Sequence, residues 1–283
     1  PHPNDIANLA KDFNIIFTNP NKSKIFIGND LFGDWKDLSI VCTASTGTVH
    51  IDKNFLKSND IKLISLTEEY DVIKSISSTA ELAFTIMMAS IRKIFQANAS
   101  VINGEWDYEK FVGRQMDKLN ICIFGYGRLG SMFAKYSEAF VSSIFIHDPY
   151  KEIPENFNNL NDIDSSLKKM DVISIHMHVN NDTEDFFDKN FFDKLNDSVL
   201  IINTSRGELI NEGELINFLK NNPKARVATD VLAGEIFGFE KSQLYQFSKS
   251  SNQVLITPHI GGMTIDAQEI AYSHAIKLLK ACI

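Results

Sequence analysis

Cysteine is scarce in this chain: Cys42, Cys122 and Cys282 are the only three among 283 residues, widely spaced and without a C-x-x-C pair. An odd count at that spacing argues against a disulfide framework or a cysteine zinc site and points to a reducing compartment. Positive charge is short as well. Lysine and arginine total 28 against 36 acidic residues, a net charge of −8. That balance speaks against nucleic acid as a partner, because such binding needs clustered cations to displace counterions. No apolar run reads as a membrane span. The run over residues 82–89 contains Thr85 and is followed by Arg92 and Lys93, the pattern of a packed helix. The opening Pro1-His2-Pro3 carries no signal-peptide pattern, and there is neither an internal repeat nor a low-complexity tract. The expectation is a soluble, cytoplasmic protein without a membrane partner. Its 44% hydrophobic and 23% charged residues match an ordinary globular composition, and its length suits one large or two ordinary domains.

What is present is alternation. Short β-rich runs at residues 119–124, 143–147, 171–176, 198–203, 225–230 and 253–257 are separated by amphipathic stretches such as 129–139, 211–219 and 242–247. Strands that are apolar throughout and separated by helices predict a doubly wound α/β domain, a parallel sheet covered on both faces. A smaller α/β segment precedes it. There, residues 6–11 and 53–57 read as helical and 14–17, 39–42 and 61–66 as extended. A helix is expected over 79–95, and a last one over 265–281 to pack back on the first domain. The expected division is a small domain of residues 1–75 completed by 264–283, and a larger one of 76–263, with a cleft between them.

Residues 121–124 run into Gly125-Tyr126-Gly127-Arg128-Leu129-Gly130, a G-x-G-x-x-G turn followed by a helical pattern. Gly125 permits the tight turn, Gly127 lets backbone approach a pyrophosphate, and Gly130 allows close helix–strand contact. The helix N-terminus offers N–H donors and a positive dipole end to the phosphates. The next strand ends at Asp148, a carboxylate placed to accept both ribose hydroxyls and to repel a 2′-phosphate. Together these predict a Rossmann site for NAD rather than NADP.

Three more segments close predicted strands of the same domain, where ligands of open α/β sheets bind. Asn203-Thr204-Ser205-Arg206-Gly207 delivers a guanidinium, whose planar fork suits a carboxylate. Asp230-Val231 is followed by Glu235. Thr257-Pro258-His259-Ile260-Gly261-Gly262 supplies an imidazole, which titrates near neutral pH and which a carboxylate can orient. Singly, each has a plain structural reading as a loop cation, a surface acid or a turn histidine. Jointly they offer what hydride transfer from a hydroxy acid requires: a group to hold the carboxylate and one to take the hydroxyl proton.

These segments, with Asp171-Val172-Ile173-Ser174-Ile175-His176, resemble the D-isomer-specific 2-hydroxyacid dehydrogenase family over nearly the whole chain. The resemblance implies Arg206, Glu235 and His259 as catalytic residues and Asp230 as a nicotinamide contact. It implies pyrophosphate contacts at Arg128 and Leu129, and further cofactor-side positions at Thr204, Ser205, Arg206 and the stretch from His259 to Gly262. In the small domain Ala44-Ser45-Thr46-Gly47 resembles the family's substrate loop, which implies that backbone N–H groups near Thr46 and Gly47 receive the substrate carboxylate, as a turn of consecutive amides can. The alternative there is a plain turn with Asp52 as a helix cap. Ile236 stands where the family usually has proline, and so does His178. The resulting His176-Met177-His178 pair lacks an evident third ligand, so no metal site is expected. The family's usual first strand also has no evident counterpart ahead of residues 6–11.

The resemblance therefore implies an NAD-dependent oxidoreductase of a D-2-hydroxy acid and its 2-keto acid. Residues 258–264 with Gln268 are closest to the phosphoglycerate dehydrogenase branch. 3-Phosphoglycerate, hydroxypyruvate, glyoxylate and D-lactate-like acids stay open as substrates. A phosphorylated one would need cations such as Lys22, Lys24 and Lys36. Formate is disfavoured, because formate-using relatives pair the histidine with glutamine. A second reading is an NAD(H)-sensing protein like the co-repressors that share the fold. A methyltransferase would leave Arg206, Glu235 and His259 unexplained. The helix expected over 79–95 and Gly104-Glu105-Trp106 match the family's dimer contact, so a homodimer is expected, with Trp106 and Phe111 as aromatic anchors.

Overall fold

The short apolar runs become strands that assemble into two parallel sheets, and the inner strands at Ile40–Thr43, Val172–Ile175 and Leu200–Asn203 are buried along their whole length. The computed structural model describes residues 13–19, 25–33, 35–160 and 163–283. The helix expected at residues 6–11, and Lys22 and Lys24, lie outside these. The chain divides into two units, Pro1–Ile76 with Gly262–Ile283 and Ser77–Gly261.

In the first unit β1 (Ile15–Thr18), β2 (Ile40–Thr43) and β3 (Lys62–Ile64) pair in parallel in that order. The central strand β2 is buried along its whole length. Val41 points into a cluster with Ile27, Phe32, Phe55 and Leu56, and Ile40 and Cys42 into a second with Ile64 and Leu66. Helix α1 (Lys53–Ser58) starts where Asp52 accepts hydrogen bonds from the Asn54 and Phe55 amides, both at 3.0 Å. The cap supplies acceptors for amides that lack an intrahelical partner.

The second unit holds seven parallel strands: β4 (Asn120–Phe124), β5 (Ser143–His147), β6 (Asn158–Asn159), β7 (Val172–Ile175), β8 (Leu200–Asn203), β9 (Arg226–Thr229) and β10 (Val254–Ile256). Their spatial order is β10-β9-β8-β7-β4-β5-β6. The chain runs outward from β4 to β6 and then restarts at β7 beside β4, so the strand order reverses there, the place beyond the carboxyl ends where open α/β sheets bind ligands. The two-residue strand β6 is too short and polar to stand out in the sequence.

Helix α2 (Ser78–Ile91) buries Ala80, Ala83, Ile86 and Met87, the last three in a cluster with Ile121, Ile123 and Ile202 of the sheet. The single helix expected over residues 79–95 is two helices. Lys93 takes the left-handed conformation (φ 52°), and α3 (Ile94–Ile102) starts anew. No glycine or proline marks that break in the sequence. Contrary to the sequence expectation, among the described residues the segment Tyr70–Ile91 is long and apolar enough to cross a bilayer. It is interrupted, however, over residues 74–77, between a short helical turn at Tyr70–Ile73 and α2. Three further helices, α4 (Arg128–Glu138), α5 (Glu212–Asn221) and α6 (Gln243–Ser248), follow β4, β8 and β9 in the chain.

Helix α7 (Ile265–Lys280) returns the chain to the first unit, where Ala271 and Ala275 pack into the Ile40–Cys42 cluster. Small side chains at that spacing permit close approach. Tyr272 stacks on Phe17, and His274 Nε2 lies 2.7 Å from Glu69 Oε2.

Candidate active site

The glycine turn sits at the carboxyl ends of β4 and β7, where the strand order reverses. Gly125 has φ +91°, and a Cβ there would lie 2.5 Å from the His176 carbonyl oxygen. A Cβ on Gly130 would lie 2.0 Å from the Gly125 oxygen. These two glycines are therefore required by the protein's own packing. Gly127 differs, because a Cβ there would meet nothing within 4 Å. Its bare backbone at the α4 N-terminus faces open space, which fits a pyrophosphate and which internal packing does not explain. Burial lowers the proton affinity of Arg128 in the first turn of α4. The carboxylate of Asp148, just past β5, accepts the Tyr126 amide at 2.7 Å and the Tyr150 amide at 2.9 Å, so it is held beside the glycine turn. These residues fit a dinucleotide.

His176 closes β7 against the same turn. Its Nε2 pairs with Ser174 Oγ at 2.9 Å, its ring packs on Phe133, and Nδ1 is buried without a partner. Burial holds its pKa down at about 3, so it is neutral at physiological pH. His178 is exposed. Among the described residues no three His, Cys, Asp or Glu side chains gather as a metal site would require.

Strands β8, β9 and β10 are neighbours, so the turns that follow them lie side by side although they are distant in the chain. After β8, the buried Asn203 organises the turn. Its Oδ1 accepts the Ser205 amide at 3.0 Å and its Nδ2 donates to the Arg206 carbonyl at 2.8 Å. Ser205 Oγ donates to Ile175 O at 2.8 Å, and the buried Thr204 Oγ1 has no partner. Arg206 Nη1 donates to Ser205 O at 2.6 Å. Burial lowers the proton affinity of this guanidinium, while the charges of Glu208 and Glu235 act to raise it. A guanidinium between two carboxylates stays cationic.

After β9, the buried carboxylate of Asp230 gathers the next turn. Oδ1 accepts from Thr257 Oγ1 at 2.5 Å and from the Ile260 amide at 2.8 Å, and Oδ2 accepts the Gly261 amide at 2.7 Å. Burial pushes its pKa above the usual carboxylate range, and these hydrogen bonds oppose the shift. The turn so gathered carries His259 in the left-handed region, φ 55°. The His259 amide donates to Asp230 O at 2.9 Å, and its Nδ1 is hydrogen-bonded to Glu235 Oε1. Glu235 Oε2 in turn accepts the Leu232 amide at 3.0 Å. The guanidinium, the imidazole and the acid thus belong to one constellation in the second unit. A Cβ on Gly261 would sit 3.1 Å from Thr79, and one on Gly262 would meet nothing within 4 Å.

In the first unit, Thr46 and Gly47 lie in the turn after β2. Ser45 Oγ donates to Gly47 O, Thr67 Oγ1 donates to Thr46 O at 2.9 Å, and neither the Thr46 nor the Gly47 amide donates to another described residue. Two consecutive amides without an acceptor among the described residues are the kind of donors an anion can use. Asp52 also caps α1, so the plain structural reading holds for that residue. Lys36 is exposed.

Sequence reasoning missed Glu208 and Glu212, whose carboxylates hold the loop that bears Glu235. Glu212 reads as an ordinary acid in a first helical turn, which is why it drew no notice.

The model of the NAD binding domain of D-isomer specific 2-hydroxyacid dehydrogenases matches residues 84–261. Over 236 residues the chain is 31% identical to D-3-phosphoglycerate dehydrogenase of Archaeoglobus fulgidus, covering 82% of this chain and 43% of that one. It is 29% identical over 239 residues to hydroxypyruvate reductase of Thermotoga maritima, covering 84% and 76%. The crystal structure of a phosphoglycerate oxidoreductase from Vibrio cholerae superposes with a TM-score of 0.83 at 21% identity, covering 99% of this chain and 88% of that one. The chain spans less than half the length of the phosphoglycerate dehydrogenase it matches.

Proposed function

Because the chain belongs to the D-isomer-specific 2-hydroxyacid dehydrogenase family and carries its NAD-binding domain, we propose that it interconverts a D-2-hydroxy acid and its 2-keto acid, with NAD as redox partner. The observation that carries this reading is the His259 Nδ1–Glu235 Oε1 hydrogen bond in a constellation with Arg206. With Nδ1 committed to Glu235, Nε2 of His259 is the atom that exchanges a proton with the substrate oxygen. In oxidation it takes the hydroxyl proton as the C2 hydrogen leaves with its electron pair and the carbonyl forms. In reduction it returns the proton. When bound, the nicotinamide supplies the acceptor or donor of that hydride. Glu235 stabilises the imidazolium and fixes the ring, and Arg206 holds the carboxylate and the substrate oxygen.

Asp148 favours NAD over NADP, since a 2′-phosphate would meet a carboxylate. The match to phosphoglycerate dehydrogenases and to a hydroxypyruvate reductase makes 3-phosphoglycerate and small hydroxypyruvate- or glyoxylate-like acids the first substrates to try. The proposed working form is a homodimer through α3 and the segment after it. Helix α3 buries none of its residues, and Ile102, Trp106 and Val112 are 75%, 86% and 71% exposed. An apolar patch of this kind marks an interaction surface.

The test is a panel of 2-keto acids with NADH and, separately, NADPH. Oxidation of NADH by at least one 2-keto acid, faster than with NADPH, is expected. NADH binding without turnover across the panel would instead favour a sensor.

A further inference from the structure

The turn that carries Glu235 is intrinsically loose. Gly234 (φ 64°) and Gly238 (φ 122°) flank the short 3₁₀ turn Glu235–Phe237, and glycines at such positions leave a segment many unfolded alternatives. What holds it are carboxylates. Three consecutive amides are each taken by a different one: Leu232 by Glu235 Oε2 at 3.0 Å, Ala233 by Glu212 Oε1 at 3.3 Å, and Gly234 by Glu208 Oε1 at 3.2 Å.

Glu212 does more than its neighbours. Both its oxygens accept from Ser242 Oγ at 2.9 Å, and Oε2 accepts the Leu244 amide at 3.1 Å. It therefore joins the Ala233 amide near the start of the 231–242 loop to Ser242 at its end and to the first turn of α6, from a fixed point at the start of α5. Its own helix does not need it as a cap, because Asn211 fills that role by accepting the Glu214 amide at 3.1 Å. Ser242 is buried, donates to Glu212, and accepts the Tyr245 amide at 3.0 Å as the cap of α6. The loop and the Arg206 segment also touch through backbone. A Cβ on Gly207 would lie 2.0 Å from Leu232 C and 2.1 Å from Ala233 N.

We propose that Glu212 is a positioning residue for proton transfer: its carboxylate fixes the Glu235 loop against the Arg206 segment and so sets where Glu235 meets His259. This deepens the dehydrogenase reading and rests on it. Hydrogen bonds to an ionised carboxylate are stronger than neutral ones, and a displacement of about 1 Å at a reacting group lowers rate by about a hundredfold. Glu212→Ala should therefore lower kcat by about tenfold to a hundredfold, with KM changed far less and NADH affinity kept. Glu212→Gln, which retains an acceptor oxygen and the side chain's shape, should fall between the two.

The deciding readout is spectroscopic and needs no substrate. The low-field proton resonance of His259 Nδ1–H, assigned by its loss in Glu235→Gln, should be shifted or lost in Glu212→Ala and partly restored in Glu212→Gln. If Glu212→Ala does not fold, Glu212→Gln and Ser242→Ala carry the same comparison. Variants that lose thermal stability but keep the resonance and kcat unchanged would make Glu212 a plain structural brace and overturn the proposal. Should the wild type turn over no keto acid, the dehydrogenase reading fails by itself, while the resonance still decides whether Glu212 sets the Glu235–His259 contact.

Discussion

His259 has a left-handed backbone, a conformation that costs a non-glycine residue about 1–2 kcal/mol. It is held there by Asp230, whose two oxygens accept donors from Thr257, Ile260 and Gly261. The histidine is legible in the sequence because it follows a strand within three residues and precedes Gly261-Gly262. The clamp is not, since its donors lie 27 to 31 residues beyond Asp230 and meet it only through the sheet. His176 is the other informative side chain. Its ordinary pKa of 6.5 falls to about 3 through burial. Between those values the unfolded chain binds a proton that the folded chain excludes. Stability must therefore drop as pH falls through that window, by up to about 1.4 kcal/mol per pH unit. Glu, Asp and other histidines add their own slopes, so the comparison is with His176→Gln. Urea midpoints at pH 7 and 4.5 should show the wild type losing more stability than the variant, and equal losses would contradict the assignment of a buried neutral ring.

At the scale of elements, the strand–turn motifs were legible because a parallel strand buried on both faces is a run of β-branched and aromatic residues ending in polar or glycine punctuation. The helix break at Lys93 and the two-residue β6 were not, since neither carries a glycine–proline signal or an apolar period, and the grip of Glu208 and Glu212 on the Glu235 loop was not, since it depends on contacts distant in the chain. Gly207 and Gly213 separate these ideas experimentally. A methyl on Gly207 would collide with the backbone of Leu232 and Ala233, whereas one on Gly213 would meet nothing closer than 3.5 Å. Gly207→Ala should destabilise the protein by about 1–3 kcal/mol through overpacking and depress turnover by separating the Arg206 and Glu235 segments. Gly213→Ala lies inside α5 and should stabilise by about 0.5–1 kcal/mol. Denaturation midpoints and kcat for the pair check both signs.

At the scale of the whole molecule, composition and charge bounded the class, and the order of motifs along the chain supplied the family. The pairing of distant segments came only from the sheet. Placing β10, β9 and β8 side by side makes neighbours of residues 206, 230 and 259, and no spacing in the sequence states that. The exposed face of α3 and residues 101–112 predicts self-association. Trp106→Glu combined with Val101→Glu should convert a dimer to a monomer in sedimentation velocity, and a wild type that is monomeric at micromolar concentration would contradict it. The most direct test of the catalytic assignment compares wild type with His259→Ala, measuring turnover of the best keto acid from the panel and NADH binding by fluorescence on the same samples. The account predicts turnover reduced by about a hundredfold to ten-thousandfold with NADH affinity nearly unchanged. Turnover within a few-fold of wild type, or loss of NADH binding along with activity, would contradict it.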